Sequence, residues 1–279
     1  MMISIAHLGP SGTYAEAAAS AYANWLLQTT QRQSVLCPYT SIVRTLRAVV
    51  GKQVDLAVVP VENSIEGSVT VTLDMLWELD QLRIQNALVL PVAHALISRA
   101  ERVDDIQTVY SHPQALAQCQ LWLEKFLPGA QLVPANSTTE ALQHLDENSA
   151  IGAISSQRAA QLYNLPILAY PINDHPDNCT RFWVLGLASS LEGGYSSLAF
   201  SLPANVPGAL LKPLQLFAQQ NINLSRIESR PTKRSLGDYL FFIDLEGDTR
   251  QTEVSSALKD LENCTETLKL FGSYHIINV

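Results

Sequence analysis

The sequence predicts a large α/β domain ending near residue 188, followed by a small α+β domain of ferredoxin-like order from about residue 196. Three observations lead there. Short apolar segments of strand length alternate with helix-like segments up to that boundary. The stretch SSLEGGYSS, Ser189–Ser197, has the composition of a linker. Beyond it the segments change to the order β-α-β-β-α-β.

In order along the chain, ISIAHL (Ile3–Leu8) is a short apolar strand, GPSGT a turn, and TYAEAAASAYANWLL an alanine-rich helix. Ser41 caps a helix with apolar residues at Ile42, Val43, Leu46, Val49 and Val50; Gly51 ends it and Val54–Pro60 is a second strand. After the polar break ENSIEGS comes a helix around Val69–Leu79, then one long, mostly apolar strand over Ile84–Ile97. Strand Thr108–Tyr110 leads through SHP into a helix over Gln114–Leu127. Strand Gln131–Val133 precedes a capping box, Ser137 with Glu140, at the head of another helix. AIGAI and LPILAY are strands with Gln157–Tyr163 helical between them. This alternation implies a mainly parallel sheet with right-handed crossovers. In the small domain the elements are strand Leu198–Leu202, helix Gly208–Gln220, strands Leu224–Glu228 and Tyr239–Leu245, helix Thr252–Asn263 and strand Leu268–His275.

Composition excludes several classes of function. The net charge is −8 with a pI near 5.2, and no Lys/Arg cluster exceeds two residues, so neither nucleic acid nor a membrane surface is an expected partner. The start MMISIAHLGP lacks the basic lead and long apolar core of a secretion signal, and no window approaches the ~20 apolar residues of a membrane span. A cytoplasmic location is expected. Cys37, Cys119, Cys179 and Cys264 are widely spaced, as reduced thiols would be, and the six histidines form no ligand pair, so no metal site is expected.

The polar clusters of the large domain all follow strands. They are GPSGT, ENSIEG (Glu62–Gly67, with Asn63 and Ser64), SHPQ (Ser111–Gln114, with His112) and NDHPDNCTR, which ends on Thr180 and Arg181. In α/β folds ligands bind beyond the carboxyl ends of strands, so four such clusters point to one cleft. GPSGTYAE sets Ser11, Gly12 and Thr13 ahead of a helix; it lacks the third glycine of a dinucleotide loop and the lysine of a P-loop, so a small carboxylate suits it better than a nucleotide. There is no GxSxG elbow and no nucleophile with an evident base partner. The site is equipped to bind, orient and donate hydrogen bonds.

Taken together, GPSGTYAEAAA, VPVENSIEGSV, SHPQALAQC, STTEAL and NCTRFWVLG resemble the prephenate dehydratase family, in order through about residues 5–186. PGALLKPLQLFAQQNINLSRIESRP resembles the ACT regulatory domain attached to that enzyme. The resemblance implies a catalytic domain over residues 1–188 made of two α/β lobes of the periplasmic-binding-protein type (type II). Lobe one would hold about residues 1–79 and 160–188, lobe two about 80–159. An ACT domain over 196–279 would follow. It also implies a monofunctional enzyme, because the chain begins at the dehydratase strand.

Prephenate carries two carboxylates and a ring hydroxyl, and loses carbon dioxide and that hydroxyl to become phenylpyruvate; the resemblance implies neither metal nor organic cofactor. Thr180 is implied as hydrogen-bond donor or relay to the departing hydroxyl, with Glu62 or His112 as the proton source. Asn63, Ser111 and Gln118 match other active-site positions, and Gln114, one turn before Gln118, shares its helix face. Ser64 belongs to the same substrate-binding set. Arg181 is either a carboxylate clamp or a structural ion pair; the Ser11-Gly12-Thr13 turn is the choice for the second carboxylate. L-Phenylalanine, the end product, is implied as a feedback effector bound between two ACT domains by Gly208, Ala209, Leu210, Asn223, Leu224, Glu228, Ser229, Arg230 and Pro231, in a homodimer or homotetramer. The rival readings are a non-catalytic small-acid sensor with the same two domains, and an enzyme acting on another small acid.

Overall fold

The computed structural model describes residues 2–145, 149–190 and 192–278. The chain opens with β1 (Ile3–Leu8), α1 (Tyr14–Thr30), β2 (Ser34–Tyr39), α2 (Ile42–Val50), β3 (Leu56–Asn63), the two-residue β4 (Gly67–Ser68), α3 (Thr70–Glu78) and β5 (Arg83–Pro91). A second group follows: β6 (His94–Ser98), β7 (Thr108–Ser111), α4 (Pro113–Ala117), α5 (Gln120–Phe126), β8 (Gln131–Pro134), β9 (Ile151–Ser156), α6 (Gln157–Leu162) and β10 (Ile167–Ala169). β11 (Cys179–Gly186) returns to the first group. The last third is β12 (Tyr195–Ser201), α7 (Leu211–Gln219), β13 (Leu224–Pro231), β14 (Tyr239–Glu246), α8 (Thr252–Glu262) and β15 (Thr267–Ile277).

Two lobes share one topology. The first lobe's strands lie in the order β2-β1-β3-β11-β5 and the second's in the order β8-β7-β9-β6-β10. In each, the three strands at one end run parallel and the fourth, β11 or β6, runs against both its neighbours. This order, with the antiparallel strand supplied by the chain as it crosses between lobes, is the two-lobed arrangement the sequence led us to expect. The sheets are mixed where mainly parallel strands were expected.

Both faces of the first sheet are covered, which is why β11 reads as an unbroken apolar run. Phe182 and Val184 pack under α1, whose Ala15, Ala18, Ala19, Tyr22 and Leu26 form a stripe at helical spacing; Trp183 and Leu185 pack on the other side with Leu46, Val59 and Leu73. Burying side chains of this size contributes roughly 1.5–3 kcal/mol each. Alternation along β11 therefore also decides where its first residues point: Thr180 shares the α1 side and Arg181 the far side.

Four local expectations give way to tertiary constraints. The run Ile84–Ile97 is two strands: the pairing with β11 ends as the Val92 N–H donates to the Asn178 carbonyl, and from His94 the chain pairs with β9 in the other sheet. The lobe crossings consequently fall near residue 92 and after Ala169, later than the expected 80 and 160. The helix expected over Gln114–Leu127 divides at Gln118 and Cys119, and the capping box at Ser137 heads only a 3₁₀ turn, Glu140–His144. β2 escaped the sequence reading because it is short and carries Pro38, which suits the sheet edge it occupies.

The C-terminal strands order as β13-β14-β12-β15, with α7 and α8 packed against them. β15 then runs on to pair in parallel with β5, His275 opposite Asn86 and Ile277 opposite Leu88. One strand thus belongs to both domains and joins them in a single ten-stranded sheet. Among the described residues no helix is long and apolar enough to cross a membrane, and all four cysteines are free.

Candidate active site

The cleft between the lobes encloses about 780 Å³ and is lined from both sides. Gly9, Thr13, Tyr14, Asn63, Thr180 and Phe182 come from the first lobe; His94, His112, Gln114, Gln118, Ser137 and Thr139 come from the second. At its centre Thr180 and Asn63 stand directly opposite each other on β11 and β3. With Gln118, His94 and Asn178 they form a network whose members are between 2% and 9% exposed.

The orientation of each amide in that network follows from its neighbours. The backbone N–H groups of Ile65 and Glu66 each lie 3.1 Å from one side-chain atom of Asn63. Because N–H groups only donate, that atom is Oδ1. Nδ2 therefore faces Thr180 Oγ1 and Asn178 Oδ1, each at 2.9 Å, and also lies 3.1 Å from the Cys179 carbonyl. Thr180 Oγ1 accepts this bond, so its own proton is not committed to Asn63.

The same reasoning runs outward. Asn178 Oδ1 accepts from Asn63 and from Ser64 Oγ, which leaves Asn178 Nδ2 to donate to Gln118 Oε1 at 3.1 Å. His94 Nε2, 2.9 Å from that same oxygen, must carry a hydrogen. Gln118 Nε2 donates in turn to Glu66 Oε1 at 3.3 Å. Burial is the main cause that lowers the His94 pKa, against the Gln118 bond, and so favours the neutral imidazole. Tyr14 meets the His94 ring edge-on and donates to the Ala93 carbonyl.

Several expected residues lie elsewhere. Ser111 is fully buried and donates to the Ile154 carbonyl at 2.7 Å, so it braces β7 against β9 and does not line the cleft. Glu62 and Arg181 face each other across β3 and β11 on the far side of the sheet, 3.6 Å apart. There Arg181 Nη1 reaches Asp244 Oδ2 of the C-terminal domain at 3.3 Å, so of the two readings of Arg181 the ion pair is the one realised. Ser64 accepts from the Cys179 N–H and supports Asn178 from behind.

The GPSGT turn is likewise occupied by the protein itself. Thr13 and Glu16 form a capping box on α1, with the Glu16 N–H on Thr13 Oγ1 at 3.2 Å and Glu16 Oε2 accepting the Gly12 N–H at 2.7 Å. Across the cleft mouth Arg158 pairs with Glu16 at 2.9 Å, Ser156 donates to the Gly12 carbonyl, and Tyr163 donates to the exposed Ser11. Burial opposes ionisation of Glu16, but Arg158 and the Gly12 N–H outweigh it and hold the carboxyl below its ordinary value. The turn fastens one lobe to the other and leaves no free N–H at Gly12 for a carboxylate.

Asp244 is the hub of the domain junction. It accepts from Arg226 at 2.8 Å and from Ser197 at 2.6 Å, and Arg226 lies over the Trp183 ring and donates to Ser68. Glu228 accepts from Ser68, while Arg230 binds Asp74 through two hydrogen bonds. Gly208, in the left-handed region at φ +81°, Ala209 and Leu210 line a separate cavity of about 290 Å³. Asn223, Leu224, Ser229 and Pro231 lie on or beside β13, at the edge of the sheet; they do not line that cavity themselves, but Thr232, next after Pro231, lines it together with Gly208–Leu210. Among the described residues no group of three His, Cys, Asp or Glu side chains could hold a metal ion.

Asn178 and His94 were missed in the sequence. Asn178 sits two residues before Thr180, the spacing that puts both on one face of a strand, and His94 interrupts the apolar run PVAHALIS.

The chain is similar to known proteins over nearly its whole length. A family model described as prephenate dehydratase matches residues 5–190, and one described as ACT domain matches residues 196–263. The chain is 40% identical to a bifunctional chorismate mutase/prephenate dehydratase of Aquifex aeolicus, covering 98% of this chain and 73% of that one. It is 34% identical to a prephenate dehydratase of Lactococcus lactis subsp. cremoris, covering 99% and 98%. The solved structure of prephenate dehydratase from Arthrobacter aurescens in complex with L-Phe superposes with a TM-score of 0.85 at 35% identity, covering 98% of this chain and 90% of that one. The chain belongs to the prephenate dehydratase family.

Proposed function

We infer that the cleft converts prephenate to phenylpyruvate. The electron pair of the bond to the ring carboxylate moves into the ring as carbon dioxide leaves, the ring hydroxyl departs, and the product is aromatic. Hydroxide leaves poorly, so a donor held at that oxygen lowers the barrier. The observation that carries this reading is the polarity of the Asn63–Thr180 hydrogen bond, which keeps the Thr180 proton free for the substrate. A threonine hydroxyl is too weak an acid to give up that proton outright. Thr180 therefore polarises and positions the leaving oxygen, with His112 and Gln114 as further contacts on the second lobe. No cofactor takes part in this scheme.

The C-terminal domain binds L-phenylalanine and feeds back on the cleft. Support comes from the L-Phe complex of the similar Arthrobacter aurescens enzyme and from the cavity that Gly208–Leu210 line together with Thr232 beside the edge strand β13, an edge that pairing of two domains would cover. The exposed Leu211 and Ile227, 66% and 47% accessible, give such a pair an apolar face. The effector acts only through a difference in affinity between arrangements of the assembly. Purified protein incubated with prephenate should release phenylpyruvate and carbon dioxide, and added L-phenylalanine should slow that release. Binding of prephenate without turnover would instead favour a sensor.

A further inference from the structure

Feedback from the C-terminal domain has to reach a cleft that none of that domain's described residues lines. The two domains meet where β15 pairs with β5, where Arg230 binds Asp74, where Lys269 reaches Asp80, and where Arg226, Glu228 and Asp244 hold Ser68 and Arg181. Of these contacts, the last group touches the neighbours of the central pair of the cleft. Arg181 follows Thr180, and Ser68 stands opposite Glu62, which precedes Asn63.

Arg181 is held loosely between two carboxylates, one from each domain. Its Nη1 lies 3.3 Å from Asp244 Oδ2 and its Nη2 3.6 Å from Glu62 Oε2, while Nε is buried with no hydrogen-bond partner. A charge-assisted bond of this kind normally closes to about 2.7–2.9 Å. Asp244 gives its tight positions to Arg226 at 2.8 Å and Ser197 at 2.6 Å. A guanidinium with an unmet buried donor gains by tightening on either carboxylate, so a small displacement of Asp244 against β3 decides which one it takes. The strand that carries Glu62 is able to follow. The register between β11 and β3 slips at Val61, between the pairs Arg181–Glu62 and Phe182–Pro60, and such a bulge releases Glu62 and Asn63 from the regular ladder.

We propose that Arg181 is the coupling residue of the feedback: it divides its ion pairing between Asp244 and Glu62, and a shift of the C-terminal domain on effector binding changes that division and moves Thr180 and Asn63 with it. This rests on the reading above, in which prephenate is the substrate and L-phenylalanine the effector. Arg181 touches neither. It acts through the residues beside it, because Thr180 and Asn63 stand 2.9 Å apart on the other face of the same two strands. A displacement of about 1 Å at reacting groups is enough to cost about 10² in rate. The effector needs only to bind one of the two pairings of Arg181 more tightly than the other.

Arg181→Met removes both ion pairs and keeps an apolar stem on the strand. Calorimetry should show that this variant still binds L-phenylalanine, since Arg181 lies outside the cavity lined by Gly208–Leu210. The ratio of its turnover without and with saturating L-phenylalanine should nevertheless fall to within about twofold of one, from the roughly 5–150-fold typical of coupled sites. Because each protein is compared with its own uninhibited rate, a general loss of activity or stability does not mimic this result. Wild-type inhibition of Arg181→Met, or loss of L-phenylalanine binding with it, overturns the proposal. Glu62→Gln, at a half-buried position, leaves Asp244 without a charged rival and should uncouple in the same way. Should Arg181→Met not fold, wild-type inhibition of Glu62→Gln overturns the proposal. If the wild-type protein converts prephenate but ignores L-phenylalanine, the feedback reading fails, and if it does not convert prephenate, the functional reading fails; both outcomes are distinct from an intact inhibition in the variants.

Discussion

Arg181 Nη1 lies 3.3 Å from Asp244 Oδ2, so the residue that follows Thr180 in sequence is anchored in the C-terminal domain while Thr180 faces the cleft. The two outcomes share a cause in strand alternation. The start of β11 therefore carries both a cleft-facing residue and the domain contact.

Asp244→Asn should weaken this junction. It removes the charge that holds Arg226, 5% exposed, and Arg181 against the sheet, and breaking a buried pair on one side costs about 3–5 kcal/mol. The urea midpoint should fall accordingly. A wild-type midpoint would show that the junction is held by β15 pairing alone.

Asn63→Asp tests the direction of the central hydrogen bond with almost no change of shape. The carboxylate still accepts from Ile65 and Glu66 but cannot donate to Thr180, whose proton then turns toward it. Steady-state kinetics should show kcat reduced by roughly 10²–10³. Wild-type kcat would mean the orientation of the threonine proton has no bearing on the rate.

Gly12→Ala should separate the lobes. Gly12 has φ +89°, and an added Cβ would sit 3.2 Å from Ala159 Cβ on the opposite lobe. Backbone strain of this kind costs about 1–3 kcal/mol. Thermal unfolding should register that loss and KM for prephenate should rise; an unchanged KM would argue against the turn as the meeting point of the closed lobes.

Stability should also follow pH. Burial lowers the pKa of His7 and His94. Between the ordinary histidine value of about 6.5 and their folded-state values, the unfolded chain binds more protons, so stability falls as pH drops through that window. Asp55, Asp74 and Glu16 have pKa values held below the ordinary carboxylate range, and their contributions are lost at still lower pH. Urea midpoints from about pH 7.5 to about pH 5 should decline, less steeply in His94→Gln; a flat profile would contradict buried neutral imidazoles.

Much of this arrangement was legible in the sequence, for identifiable reasons. Polar clusters after apolar runs placed Asn63 and Thr180 at the cleft, since strand ends converge there, and the family resemblance pointed to Gln118. The order of the C-terminal segments was likewise visible. What stayed hidden depends on which face of a strand looks where. Nothing in NCTRF shows that the C-terminal domain covers the Arg181 side, because that contact is made by Asp244, 63 residues away in the chain. Ser111 and Ser64 have the right residue type beside the right loops, yet their hydroxyls are taken by Ile154 and by Asn178. The break after Pro91 and the sharing of β15 between domains are likewise decided by partners distant in sequence.

The most direct test compares Thr180→Val and Thr180→Ser with wild type in prephenate turnover. Valine keeps the shape and removes the hydroxyl, so kcat should drop by roughly 10²–10⁴ with little change in KM, while serine should retain most of the activity. A valine enzyme turning over at the wild-type rate would contradict the account.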